Sequence, residues 1–142
     1  MEEWVVFITN HWILASLLGV VLAAFIINEI IGGHFGSKQT VSTEHAVQMM
    51  NHQEAVVFDA RTEAEFSAGH IVGAEPLTET AIDKKMSQLQ KYLKKPIIIA
   101  TATGQDTTKM MTLLQEKGFL HTFILSGGMQ AWKSAGMPVI KS

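Results

Sequence analysis

The 142-residue chain is predicted to be an α/β protein, a parallel sheet flanked by helices, preceded by one N-terminal transmembrane α-helix. Three observations predict this. Residues 4–28 contain no Asp, Glu, Lys or Arg, and residues 12–27 are apolar apart from Ser16 and Gly19. Beyond residue 40, short β-branched runs alternate with helical patterns, as in a parallel sheet with helices on its faces. Finally, one of these runs, Ile97-Ile98-Ile99-Ala100, passes through a glycine-containing loop straight into a helical pattern.

In chain order, residues 1–6 read as a tail, 7–28 as the transmembrane helix, 29–39 as a linker and 40–142 as the folded domain. About 20 helical residues cover a hydrocarbon core near 30 Å thick, and Trp4 and Trp12 are of the type that anchors at a membrane interface. A cleaved signal peptide would want a basic start and a shorter apolar core. This chain instead begins Met1-Glu2-Glu3, so an uncleaved anchor is expected. No Lys or Arg precedes the span and Lys38 follows it, which places the domain in the cytoplasm and the N-terminus outside. Ala15, Gly19 and Ala23 recur every fourth residue, a small-residue face that permits close helix approach and offers a route to homo-oligomers. Residues 32–37 (Gly-Gly-His-Phe-Gly-Ser) have linker composition and hold the domain near the bilayer.

In the domain, Ser42 or Thr43 caps a helix carrying Ala46, Val47, Met49 and Met50 on its apolar side. Val56-Val57-Phe58 is a buried strand that delivers Asp59 and Arg61 at its end. Thr62-Glu63-Ala64-Glu65 reads as a capping box opening a short helix. The Ile97 run is a second buried strand. The loop Thr101-Ala102-Thr103-Gly104-Gln105-Asp106 follows, then a helix with Met110, Met111, Leu113 and Leu114, stopped by Gly118. Phe123-Ile124-Leu125 forms a late strand before Gly127-Gly128. In such sheets the site lies at the carboxyl ends of the strands, where the Thr101 loop falls. A helix opening from that loop turns unpaired N–H groups toward it, a geometry suited to anions.

Two stretches carry a family resemblance. Asp59-Ala60-Arg61, Glu65-Phe66, Gly69-His70-Ile71 and Gly73-Ala74 resemble the D-x-R-x-x-x-E-F-x-x-G-H-I-x-G-A signature of rhodanese domains. Gly127-Gly128-Met129-Gln130-Ala131-Trp132, with Gly136-Met137-Pro138-Val139, resembles their G-G-x-x-A-W…G-x-P-V ending. The resemblance runs from about residue 40 to residue 139. It implies a rhodanese-like fold in which Asp59, Arg61, Glu65, Gly69, His70, Gly73, Gly127, Gly128 and Trp132 are fold-signature residues rather than catalysts, with Asp59, Arg61 and Glu65 forming an ion-pair network. It also implies, from similarity to single-span members, a bacterial inner membrane setting.

The departures gather in the loop. Rhodanese loops typically read like C-R-T-G-N-R-S, with the nucleophilic cysteine first; here the resemblance sets Thr101 at the cysteine position and Ala102 and Asp106 where arginines are common. The chain has no cysteine, and a persulfide relay needs a thiolate. A threonine hydroxyl needs an adjacent base to act as nucleophile, and the loop supplies none, so no catalytic residue is expected. An anion about 6 Å from Asp106 would be repelled by roughly 3 kcal/mol at an effective dielectric near 20. The expectation is a cup filled from within, Asp106 or Thr107 capping the following helix.

The net charge of −2 points to no nucleic-acid partner. His11, His34, His45, His52, His70 and His121 show no metal-ligand spacing, and neither metal nor cofactor is expected. Lys84, Lys85, Lys91, Lys94 and Lys95 gather around a single acid, Asp83; near an anionic leaflet each lysine could add about 1 kcal/mol. The expected partners are the lipid bilayer and a membrane or cytoplasmic protein. The function expected is a membrane-tethered binding or scaffolding module. The alternative is sulfur handling in which a partner supplies the cysteine, and phosphate recognition ranks last.

Overall fold

A computed structural model describes residues 2–35, 39–105 and 107–142, and the side chains of residues 2–28, 39–105 and 107–142. The chain divides into two compact units, Met1–Ser37 and Lys38–Ser142.

The first unit holds two helices, α1 (Glu2–Asn10) and α2 (Trp12–Phe35). A single continuous helix over residues 7–28 is therefore corrected. The helix breaks at His11, and α1 meets the Trp12–Asn28 part of α2 at 87°. Thr9, Asn10 and His11 are all weak helix formers, and the Thr9 hydroxyl donates to the carbonyls of Val5 and Val6, a back-bonding that bends helices. Among the described residues no single helix is long and apolar enough to cross a membrane; the bent pair has the residue count and composition of a span only when its two helices are taken together. The start of the linker is corrected too, because α2 runs to Phe35. Gly36, Ser37 and Lys38 lie outside the described residues.

In the second unit, β1 (Thr40–Val41), β2 (Val56–Asp59), β4 (Glu75–Pro76), β5 (Ile97–Ala100) and β6 (Thr122–Leu125) form one sheet in the order β1-β6-β5-β2-β4. Every pairing in it is parallel. Because consecutive side chains point to opposite faces, Ile97 and Ile99 join one core with Phe58, Met110, Leu114 and Phe119, while Ile98 and Ala100 join another with Val57, Ala46, Met49 and Trp132. Both faces are covered, which is why these strands read as unbroken apolar runs. Helices α5 (Ile82–Leu89) and α6 (Thr108–Glu116) supply the first core, α3 (Thr43–His52) and α7 (Gly128–Ser134) the second. The short β3 (His70–Ile71) and β7 (Val139–Ile140) pair antiparallel beside them.

The caps read from sequence form. The Ser42 side chain accepts from His45 N–H at the start of α3. Thr62 and Glu65 make both bonds of a capping box at the start of α4 (Glu63–Ala68). Gly118 follows Lys117, the C-cap of α6, at φ +99°, the left-handed turn that glycine accepts without strain.

Candidate functional site: the Thr101 loop

The carboxyl ends of β2, β5 and β6 converge, and the Thr101 loop leaves β5 between the other two. Its shape is set by bonds to both sides. The Ala60 N–H donates to the Ala100 carbonyl at 2.9 Å, while the N–H groups of Met129 and Gln130, at the start of α7, donate to the carbonyls of Thr101 (2.7 Å) and Ala102 (3.0 Å). The loop carbonyls are thus turned toward α7.

Close packing against Gly127 and Gly128 makes that clamp possible. Gly128 has φ +57°, and a Cβ there would lie 2.3 Å from the Thr101 carbonyl oxygen and under 3 Å from the backbone nitrogens of Thr103 and Gly104. Gly104 is the reciprocal case, with φ +79° and a would-be Cβ 2.9 Å from the Gly127 nitrogen. These contacts explain in backbone terms why the loop and the Gly-Gly turn require glycine.

Inside the loop, the Thr101 hydroxyl accepts from the Gly104 N–H at 2.8 Å. The side chain at the family's nucleophile position is therefore engaged with the backbone of its own loop. The expectation that Thr107 caps α6 with its side chain is corrected. Thr107 is the N-cap residue, but at φ −93°, ψ −6° it lacks the extended backbone of a side-chain cap and makes no such bond. It is instead buried in the site wall. Asp106 lies outside the described residues.

Beside the loop is a cavity of about 360 Å³, walled by Thr101, Gln105 and Thr107 on one side and by Thr78, Glu79 and Thr80 on the other. Glu79 pairs with Lys109 at 3.1 Å. Thr78, Glu79 and Thr80 carry no motif that sequence reading could recognise. They reach the site only because β4 pairs beside β2, bringing the turn after Pro76 alongside.

The signature residues divide into separate tasks. Arg61 and Asp59 form a buried two-pronged pair, with the guanidinium donating at 2.7–3.2 Å and also reaching the Gly69 carbonyl at 2.7 Å. Glu65 makes no side-chain bond in that network, which corrects the three-member reading. Its carboxylate accepts from the Thr62 backbone N–H and hydroxyl, and these two bonds, the hydroxyl first, hold its pKa below the ordinary glutamate value. His70 is buried, stacked on Phe66 at 3.8 Å, with Nδ1 2.8 Å from the Phe66 carbonyl, so Nδ1 carries the proton. Gly73 sits at φ +80° in the turn after β3. Trp132 is buried and donates through Nε1 to the Pro138 carbonyl.

Ala15, Gly19 and Ala23 lie exposed on α2, and nothing lies within 4 Å of a Cβ built at Gly19. Among the described residues no group of three or more His, Cys, Asp or Glu could hold a metal ion.

The comparisons agree with this architecture. The family model for the Rhodanese-like domain matches residues 42–135. The Escherichia coli (strain K12) protein YibN is 25% identical over 142 residues, covering 99% of both chains. Thiosulfate sulfurtransferase GlpE of Pseudoalteromonas translucida (strain TAC 125) is 30% identical over 95 residues, 67% of this chain and 89% of its own. Among solved structures, the rhodanese-like domain of the Anabaena sp. Alr3790 protein superposes with a TM-score of 0.63 at 25% identity, covering 75% of this chain and 81% of that one. A rhodanese-related protein from Thermoplasma volcanium gives 0.61 at 18% identity, covering 73% and 99%. With the family model matching residues 42–135, about two thirds of its length, the chain belongs to the rhodanese-like domain family.

Proposed function

We propose that this chain is a membrane-tethered, non-catalytic rhodanese-like domain that works as a binding or scaffolding module. It is anchored by one span in a bacterial-type inner membrane, N-terminus out and domain in the cytoplasm. The observation that carries the non-catalytic part is the Thr101 hydroxyl, which accepts from Gly104 N–H where the family places its cysteine, in a chain with no cysteine anywhere. A hydroxyl cannot store a transferable sulfur, and the described residues of the loop include no base to activate it. Tethering is supported by the uncharged residues 4–28 and by Lys38 following them. The likeness to YibN extends over this N-terminal unit as well. In this reading the partner is a membrane or cytoplasmic protein, and Ala15, Gly19 and Ala23 form a face through which α2 can pair with a second copy.

The test has two arms. Full-length protein in detergent, given thiosulfate and cyanide, is expected to form no thiocyanate above the uncatalysed rate; turnover that disappears in Thr101→Ala refutes the non-catalytic reading. Cell fractionation is expected to leave the protein in the membrane pellet after carbonate washing, and release into the supernatant refutes the anchor.

Two observations favour a second reading, in which a partner's cysteine carries the sulfur. The cavity beside Thr101 stays open, and a relative of similar sequence is a thiosulfate sulfurtransferase. Persulfide forming on a co-purified partner only when this chain is present would support that reading over the first.

A further inference from the structure

The two N-terminal helices differ in kind. Within its described side chains, α2 is apolar all round, and Trp12, Leu14, Leu17, Val20 and Val21 are all exposed. By contrast α1 has two faces: at 100° per residue, Phe7, Trp4, Ile8 and Val5 fall within an arc of about 160°, and Thr9, Glu2, Asn10 and Glu3 within the opposite arc of about 120°, interrupted by Val6. That apolar face is uncovered, Trp4 at 74% and Phe7 at 61% exposure.

The corner between the helices is built rather than frayed. His11 N–H donates to the Phe7 carbonyl at 3.0 Å, its own carbonyl accepts from Ala15 N–H at 3.0 Å, and its ring lies 4.8 Å from that of Phe7. A new helix starting at Trp12 leaves its first backbone N–H groups without partners in that helix. Such groups are costly in hydrocarbon. If the span began at Phe7, this corner and the polar Thr9, Asn10 and His11 would lie about 6 Å inside the bilayer at 1.5 Å per residue. Nor is α1 needed for length: the uncharged Trp12–Asn28 part of α2 extends about 25 Å at 1.5 Å per residue, a few ångströms short of a core near 30 Å, and the helix continues past it to Phe35.

We infer that α1 lies flat in the membrane–water boundary, with Trp4, Val5, Phe7 and Ile8 among the lipid acyl chains. The His11 corner sits at headgroup level and α2 crosses alone. The inference rests on the membrane-anchored reading. Because α1 carries two acids and no base, its contact is with the apolar part of the leaflet and does not depend on anionic lipid.

The absence of cysteine permits a clean test on the full chain. Single cysteines placed at Glu3, Val5, Val6, Ile8, Ile13, Leu17 and Val21 are spin-labelled after reconstitution into phosphatidylcholine vesicles, with and without phosphatidylglycerol. Depth is read from accessibility to oxygen against a water-soluble nickel chelate. The expected profile is a shallow plateau at Val5 and Ile8, water exposure at Glu3 and Val6, and depth increasing from Ile13 through Leu17 to Val21, unchanged by phosphatidylglycerol. A steady increase in depth from Val5 onward overturns the inference while leaving the anchor in place. A plateau found only with phosphatidylglycerol overturns its apolar basis. Water exposure at every position in both helices overturns the anchored reading and the inference together.

Discussion

Thr101 and Gly128 face each other across the loop, and each constrains the other. Removing the acceptor by Thr101→Val leaves the Gly104 N–H without its side-chain partner and is expected to lower domain stability by about 1 kcal/mol, measured by urea denaturation. Gly128→Ala combines a left-handed backbone with a Cβ 2.3 Å from the Thr101 carbonyl. It is expected to cost about 2 kcal/mol or more and to broaden or shift the amide resonances of residues 101–104 in NMR spectra. A Gly128→Ala protein with unchanged stability and spectra would contradict the clamp. Gly104 and Gly128 were legible as parts of motifs, but their reason was not, because the atoms they make room for come from residues more than twenty positions away.

At the scale of elements, the local signals were the readable ones. The Thr62–Glu65 box, the Ser42 cap and the Gly118 stop depend on neighbours within a few positions, so sequence spacing specifies them. Thr62→Ala is expected to cost about 1 kcal/mol, seen as a lowered urea midpoint with unchanged slope. The box also sets a pH dependence. Glu65 is held below its ordinary pKa, so its contribution is present above the unfolded value and is lost as pH falls through the folded one. The stability gap between the wild type and Glu65→Gln should therefore narrow as pH falls below the usual glutamate range. A gap that stays constant would place the effect elsewhere. The break at His11 was missed for a different reason: apolarity dominates residues 4–28, and a three-residue polar interruption leaves the average hydropathy high. Thr107 was misread because its hydroxyl suits a cap, whereas its backbone takes the helical region before α6 begins.

For the whole molecule, both core clusters lie entirely within Lys38–Ser142, so that unit has the contacts needed to fold by itself. Expressed alone, it should remain soluble and unfold cooperatively, while the proposed anchor predicts that the full chain needs detergent; a truncated domain that aggregates or melts without a transition would count against this. In its lysine-rich segment Lys95 pairs with Glu54 at 3.3 Å and Lys85 donates to the Pro76 carbonyl, while the segment's one acid, Asp83, pairs with Lys117 at 2.7 Å. Lys84, Lys91 and Lys94 remain on the exposed surface. Weak, salt-sensitive binding of the isolated domain to anionic vesicles follows from those three charges, checked by flotation at low and high salt.

The sequence by itself determined the alternation of strands and helices, the family, the caps and the loss of the thiol, because each depends on residue type or short-range spacing. Only the tertiary structure decided what fills the vacated position and what surrounds it. The Thr101 hydroxyl turns onto Gly104, α7 grips the loop carbonyls, and the turn at Thr78–Thr80 forms the far wall of the cavity. Each of these depends on strands distant in sequence lying side by side, a pairing imposed by burying both faces of the sheet rather than by any local run of residues.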